Sequence, residues 1–272
     1  LIAMGMYEDA LVEIDTLIAA DFKVTTELEK RALIHLLDEQ FELCEQTVNT
    51  SFQINPNSAF AYDLLGVIEL KNGDADQALS AFNRALEIDG MMVLALYNRA
   101  IAYRMLNDKE AALADLNKAL EIRQDLEKVF YSRAILKKEM GNAVDAMSDY
   151  NTAIRINDEF NDALYNRSYT LQLMGDYASA LMDVDDVLND NPESPRAWNL
   201  RGNTKVLYAE YSSAIDDYSR AISLDGDYSE AYYNRGLARL MNNNYAYGCQ
   251  DLRESAALGY SKAQAKLNAF CE

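Results

Sequence analysis

Histidine is almost missing from this sequence: His35 is the sole one in 272 residues. A histidine-rich metal site is thereby excluded, and a Ser-His-Asp or Cys-His arrangement would have to be built around that one ring. The three cysteines, Cys44, Cys249 and Cys271, show no CxxC spacing. No GxxxxGK[ST] or GxGxxG segment occurs, so a phosphate-cradling loop has no support. The acidic clusters DVDDVLND (183–190) and NDEFND (157–162) lack the glycine-centred ligand order of calcium loops and read as solvated faces. Basic side chains are scarce too. Lys and Arg number 25 against 44 Asp and Glu, a formal charge of −19, which argues against nonspecific binding to nucleic acid or an anionic membrane. No apolar run approaches the ~20 residues needed to cross a bilayer. Nothing in these residues argues for an enzyme or calls for a cofactor.

What the chain has in quantity is repetition. YNRA at 97–100 returns as YNRS at 165–168 and YNRG at 233–236, and the 68-residue step halves to 34 without a gap. A small residue recurs in each register as Ala32, Gly66, Ala100, Ala134, Ser168, Gly202 and Gly236. Another recurs as Ala10, Cys44, Ala78, Ala112, Ala146, Ala180, Ala214 and Gly248. Between the two lie Gly5, Gly73, Gly141 and Gly175, or Asn107 and Asn243, where a helix can end at positive φ. A fixed period of this length marks a repeat architecture. Within residues 61–89 the apolar positions Tyr62, Leu65, Ile68 and Leu70, then Ala78, Leu79, Phe82, Ala85, Leu86 and Ile88, follow helical spacing. Each repeat is therefore a helix, a tight turn and an antiparallel helix, with the small residues allowing close approach.

This layout resembles the tetratricopeptide repeat. Trp198, Gly202, Ala214 and Tyr218 stand at that family's fourth, eighth, twentieth and twenty-fourth places, and Pro56 and Pro192 at its thirty-second. The resemblance implies an all-α fold, a right-handed α-solenoid superhelix of antiparallel helix pairs, running as one array over 1–272. Counting by 34 gives repeats at 25–58, 59–92, 93–126, 127–160, 161–194, 195–228 and 229–262, preceded by the second helix of a truncated repeat at 1–24 and closed by a capping helix at 261–272. Leu1-Ile2-Ala3-Met4 reads as the last turn of a first helix whose beginning lies upstream, so a piece of a longer protein is expected. The ending GCQDLRESAALGYSKAQAKLNAFC is similar to those of bacterial tetratricopeptide proteins, some of them exported.

The register pairs charges as well. Arg99, Arg133, Arg167, Arg201 and Arg235 are each followed sixteen residues later by Asp115, Asp149, Asp183, Asp217 and Asp251, with the midpoint on the turn. Such pairs face each other across a hairpin and are expected to fix its register, for about 0–1 kcal/mol each if exposed. Arg31, which faces Thr47, is the exception. Cys249 and Cys271 have their midpoint at Tyr260 and stand level across the last hairpin. They are either a disulfide, implying an exported or periplasmic setting, or two core thiols of a cytoplasmic protein. Cys44, at a small packing place, reads as a buried thiol, and His35, inside a helix, as a packing or surface residue.

The fifth, sixth and ninth places of each first helix turn away from its packing side, and the resemblance makes them the lining of a concave groove. They hold Tyr97, Tyr131, Tyr165, Asn199 and Tyr233, then Asn98, Asn166 and Asn234, then Tyr169 and Asn203. Asparagine amides can pair with an extended peptide backbone while tyrosine gives rigid contact area. Such ladders resemble the repeat domain of O-linked N-acetylglucosamine transferase. Repeats that grip the acidic tails of heat-shock chaperones carry Lys or Arg at the fifth and ninth places, and none stands there in this chain. The expectation is a noncatalytic scaffold for a neutral or mildly basic peptide or partner segment. A regulatory or substrate-selecting arm of a larger enzyme is the alternative, and a glycan stacked on the tyrosines a weaker third. The face of residues 7–20 could also pair with another copy of the chain.

Overall fold

A computed structural model describes residues 7–19 and 24–271, which form sixteen α-helices and, among these residues, no strand. The expectations placed on Leu1-Ile2-Ala3-Met4 and Gly5 lie outside the described residues. A first helix, α1 (Tyr7–Ala19), precedes seven helix pairs. These are α2 (Val24–Leu37) with α3 (Phe41–Ile54), α4 (Ala59–Asn72) with α5 (Ala75–Ile88), α6 (Val93–Met105) with α7 (Lys109–Ile122), and α8 (Glu127–Glu139) with α9 (Ala143–Ile156). They continue as α10 (Asn161–Met174) with α11 (Tyr177–Asp190), α12 (Pro195–Leu207) with α13 (Tyr211–Leu224), and α14 (Ser229–Met241) with α15 (Tyr245–Ala257), before a last helix, α16 (Ala263–Phe270). The chain forms two compact units, Leu1–Leu136 and Lys137–Glu272, that divide inside α8.

Local chemistry sets the helix ends. The side chains of Ser58, Asp74, Asp108, Asp176 and Ser194 each accept a hydrogen bond from the backbone N–H three residues on, satisfying a donor that the helix start leaves open. The turn inside every pair has one residue at positive φ: Gly73, Gly141 and Gly175, but also Asn107 and Asn243. Glu39 and Ala209 complete the series at φ 58° and 61°, where a Cβ costs about 1–2 kcal/mol. The sequence offered no sign of those two turns beyond their register. In each, the same pair of backbone bonds closes the helix, as with Glu210 N–H donating to Lys205 C=O at 2.8 Å and Ala209 N–H to Val206 C=O at 3.0 Å.

Close packing explains the small residues. A Cβ on Gly202 would stand 2.6 Å from Cε1 of Tyr218, and one on Gly66 would meet the Phe82 ring in the same way. In the first unit Ala32, Cys44, Val48, Ala61, Leu64 and Ile68 form one core cluster. The Cys44 thiol is buried there and pushed up to about 11, chiefly by desolvation, which leaves it unreactive. His35, on α2, is buried as well, its Nδ1 against Gln40 Oε1 at 3.0 Å and its Nε2 accepting from Arg31 Nε at 3.5 Å. In the second unit Leu164, Val184, Val187, Leu188, Ala197 and Leu200 make a cluster, and Tyr233, Leu240, Leu252, Ala263 and Leu267 another that seats α16. Cys249 and Cys271 are joined as a disulfide that ties α15 to the end of α16.

The arginines do more than the hairpin geometry required. Arg99 donates through Nε and Nη2 to both oxygens of Asp115 at 2.7 Å, and Arg167, Arg201 and Arg235 hold Asp183, Asp217 and Asp251 by the same fork. The third nitrogen, Nη1, reaches sixteen residues backwards, to Asn83, Asn151, Asp185 and Ser219 respectively. Arg133 donates to Asn117 in that second role, and Asp149 is bound by Lys137 at 2.7 Å. Arg99, Arg167, Arg201 and Arg235 thus each bolt their own hairpin and the preceding helix at once. Arg31 departs from its expected isolation, pairing with Asp15 of α1 at 2.7 Å. Far from being exposed, the aspartates are enclosed: the Asp183 side chain is 7% accessible and that of Arg167 20%.

Candidate functional site

The fifth and sixth places turn out to be wired to each other, one repeat apart. In the first unit Asn98 Nδ2 donates to Asp63 Oδ1 at 3.0 Å, and Ser132 Oγ to the Tyr97 hydroxyl at 3.5 Å. In the second unit Asn234 Nδ2 donates to Asn199 Oδ1 at 3.1 Å. All three links span 35 residues, the distance from a fifth place to the sixth place of the next repeat. The expected ladder is thus partly internal. Asn98 and Asn199 are buried, and their amides, like that of Asn234, serve as struts between repeats. Asn203 accepts from the Tyr218 hydroxyl at 2.8 Å. Tyr233 is also buried, its ring 5.0 Å from that of Tyr260 in the cluster under α16, so the last helix covers what the preceding repeats leave open.

Asp63 was not singled out by its sequence. It is 1% accessible, one carboxylate oxygen has no hydrogen-bond partner, and desolvation raises its pKa to about 6 against the pull of Asn98. Ionising it in the folded chain is therefore unfavourable. The stability it contributes is fully present below the ordinary 3.8 and is lost as pH rises through about 6. By pH 8 that loss is about 3 kcal/mol. Asn199 shows that an amide satisfies the same strut, so Asp63→Asn should remove the loss, leaving a net gain of about 1–2 kcal/mol at pH 8 once the unpaired amide hydrogens are counted. Urea unfolding of both chains at pH 4 and pH 8 checks this: the gap between them must widen with pH, and a constant gap would refute the assignment.

What stays open to solvent lies elsewhere on these helices. In the second unit Tyr169 is 40% accessible, with Lys138 Nζ 5.3 Å from its ring centroid. Lys138 also donates to Asn166 Oδ1 at 3.2 Å, and Asn166 Nδ2 donates to the Asp162 carbonyl at 3.0 Å. Tyr165 is half-buried under Arg196, whose guanidinium carbon is 5.1 Å from the ring centroid. Beside it a cavity of about 140 Å³ is lined by Asn161, Asp162, Tyr165, Asn191, Ser194 and Arg196. Desolvation lifts the Tyr165 hydroxyl above the ordinary tyrosine value, the Arg196 charge opposing it, so this group remains a hydrogen-bond donor at neutral pH. Lys138 and Arg196 stand at the twelfth and second places, outside the fifth and ninth places on which the sequence expectation rested. Cation–π contact of this kind favours the ring orientation seen, by about 0.5–1 kcal/mol at an exposed site.

The first unit offers a different surface. Tyr97 is half-buried at the wall of an apolar cavity of about 220 Å³, whose other walls include Val93, Leu94, Leu126 and Val129. Tyr131 is half-buried as well. Leu94 and Val129 were missed because they fall outside the fifth, sixth and ninth places, although their neighbouring apolar character is visible in the sequence. Among the described residues no group of three His, Cys, Asp or Glu could hold a metal ion, and no helix is long and apolar enough to cross a membrane.

Comparison with known proteins bears on the fold. The tetratricopeptide repeat family model matches residues 64–127, and a second model, described as TPR repeat, matches 210–243. No curated protein sequence matches the chain. A tetratricopeptide repeat protein from Parabacteroides merdae is similar in structure, with a TM-score of 0.65 at 20% identity over 90% of this chain and 96% of that one. PilF of Pseudomonas aeruginosa gives 0.68 at 16% identity, covering 75% of this chain and 93% of its own. YrrB, described as a TPR protein with an unusual peptide-binding site, gives 0.57 at 20% identity over 68% and 95%.

Proposed function

We propose that this chain, a tetratricopeptide-repeat protein, is a noncatalytic interaction scaffold that holds an extended segment of a partner protein against the first helices of its repeats. The observation that carries this reading is the pair Tyr165 and Tyr169, two rings on one helix, each fixed by a cation and flanked by the Asn166 amide. Rings held in place lose little conformational entropy on binding, and an amide beside them can pair with a peptide backbone. Arg196 shares its cavity wall with Asp162, and Glu230 also acts on Tyr165, which favours a neutral segment over a strongly charged one. The peptide-binding site named for YrrB supports the reading by analogy of fold. The disulfide supports work in an oxidising compartment.

Tyr169 is the residue to change first, because its exposure separates binding from folding. A peptide library panned on the intact chain should yield a reproducible set of sequences. Tyr169→Ala should weaken their binding about tenfold or more, as expected for a central aromatic anchor, with helicity by circular dichroism unchanged. Equal binding by the variant in fluorescence polarisation would rule this surface out.

A further inference from the structure

The outer arginine lattice of the second unit is charge-balanced at two of its stations and unbalanced at the third. Arg167 faces one carboxylate, Asp183, and the neutral Asn151. At the next station two cations, Arg201 and Lys205, meet two carboxylates, Asp217 and Asp185, each contact at 2.7 Å. At the last, Arg235 and Arg239 share the single carboxylate of Asp251, and the place of Asp185 is taken by Ser219, which accepts from Arg235 Nη1 at 3.0 Å. Among these contacting groups one positive charge is left over, and Glu254 on the wall of the adjoining cavity is the next carboxylate. Arg239 spends only Nη1 on Asp251, at 2.7 Å, and its Nε and Nη2 have no hydrogen-bond acceptor among the described residues.

Those spare donors border a cavity of about 360 Å³ walled by Tyr232 and Tyr247, with Glu254 at its exposed rim. Arg235 lies 5.4 Å from the Tyr232 ring centroid and Arg239 5.6 Å from that of Tyr247. At 100° per residue Tyr232, Arg235 and Arg239 share one face of α14, and Glu230 and Asn234 lie on the far side, so this cavity is separate from the surface that carries the proposed function. Burial presses Arg239 below the ordinary guanidinium value, with Asp251 opposing and the charge of Arg235 adding to the effect. An anion in the cavity would relieve both.

We propose that this cavity binds a carboxylate attached to a flat apolar body. The planar fork of Arg239 matches a carboxylate, the two tyrosine rings match the apolar part, and the wall as a whole, with Arg235 and Arg239 against Asp251 and Glu254, has no net positive charge to hold a dianion such as phosphate. The carboxylate has two sources, a free aromatic acid or the C-terminus of a chain that ends in an aromatic residue. Ser219→Asp tests the charge count without touching the cavity wall, because it supplies the carboxylate that Asp185 gives Arg201. Titrations of the intact chain followed by two-dimensional NMR would use benzoate for the free acid and acetyl-Gly-Gly-Phe for the chain end, with benzamide and inorganic phosphate as controls. Saturable shifts in α14 and α15 are expected with at least one carboxylate, the stronger of the two identifying the source. Benzamide and phosphate should bind less well, and Ser219→Asp and Arg239→Gln should each weaken the carboxylate about tenfold or more while circular dichroism stays unchanged. Absence of saturation with both carboxylates, benzamide binding as well as benzoate, or parental affinity in Ser219→Asp would each overturn the proposal.

Discussion

Arg167→Met should cost about 3–5 kcal/mol of stability, more than a surface ion pair could. The Asp183 carboxylate is 7% accessible and receives both its strong hydrogen bonds from Arg167, so the substitution strands a buried charge with no second cation to take over. Lys205→Met provides the contrast. Asp217, which it touches at 2.7 Å, keeps the forked contact from Arg201, and the loss should be about 1 kcal/mol. Replacing both members, Arg167→Met with Asp183→Leu, should recover most of the stability, because an apolar pair carries no desolvation debt. Urea unfolding of the four chains decides the matter. A loss below about 1 kcal/mol for Arg167→Met, or a double variant no better than the single one, would show that these pairs behave as surface pairs.

Removing the bridge between Cys249 and Cys271 should cost about 3 kcal/mol, the loop-closure value for a separation of 22 residues. The effect should be local. α16 is only eight residues long, too short to persist without tertiary support, and it sits over Tyr233, Leu240 and Leu252 through Ala263 and Leu267. In the double Cys249→Ala, Cys271→Ala chain, hydrogen exchange should therefore speed up first across residues 263–270 and then in α14 and α15, as the apolar end they share becomes wet. Thermal unfolding with and without reductant gives the total. An unchanged midpoint on reduction would mean that packing alone holds the last helix.

The helices were legible because their signals are local and recur: small residues at Gly202 and Ala214, an αL glycine at Gly73 or Gly175, a capping Asp74 or Asp176. The ionic forks were legible for the same reason, since sixteen residues span one hairpin. What could not be seen were relations between repeats. Asn98 reaches Asp63, and Asn234 reaches Asn199, across 35 residues, so an amide that looks available within one repeat is consumed by the next. The backward reach of Arg201 to Asp185 was hidden likewise. Tyr233 shares its place with Tyr97 and Tyr165, yet it is covered, because α16 follows it where another repeat would otherwise begin. Lys138 and Arg196 escaped notice because a long side chain delivers its charge far from its own backbone position.

The double grip of Arg99, Arg167, Arg201 and Arg235 makes their repeats interchangeable parts. Arg201 holds residue 185 behind it and residue 217 ahead, and Arg167 holds 151 and 183 by the same nitrogens. If residues 161–194 were spliced out, Arg201 would find Asn151 where Asp185 had been, and a group of the right shape would already be waiting. Lengthening by one copy would close just as cleanly, whereas inserting or deleting a fraction of a repeat would put every following fork out of phase. A chain built on this joint keeps its forks in phase only if its length changes in whole 34-residue steps.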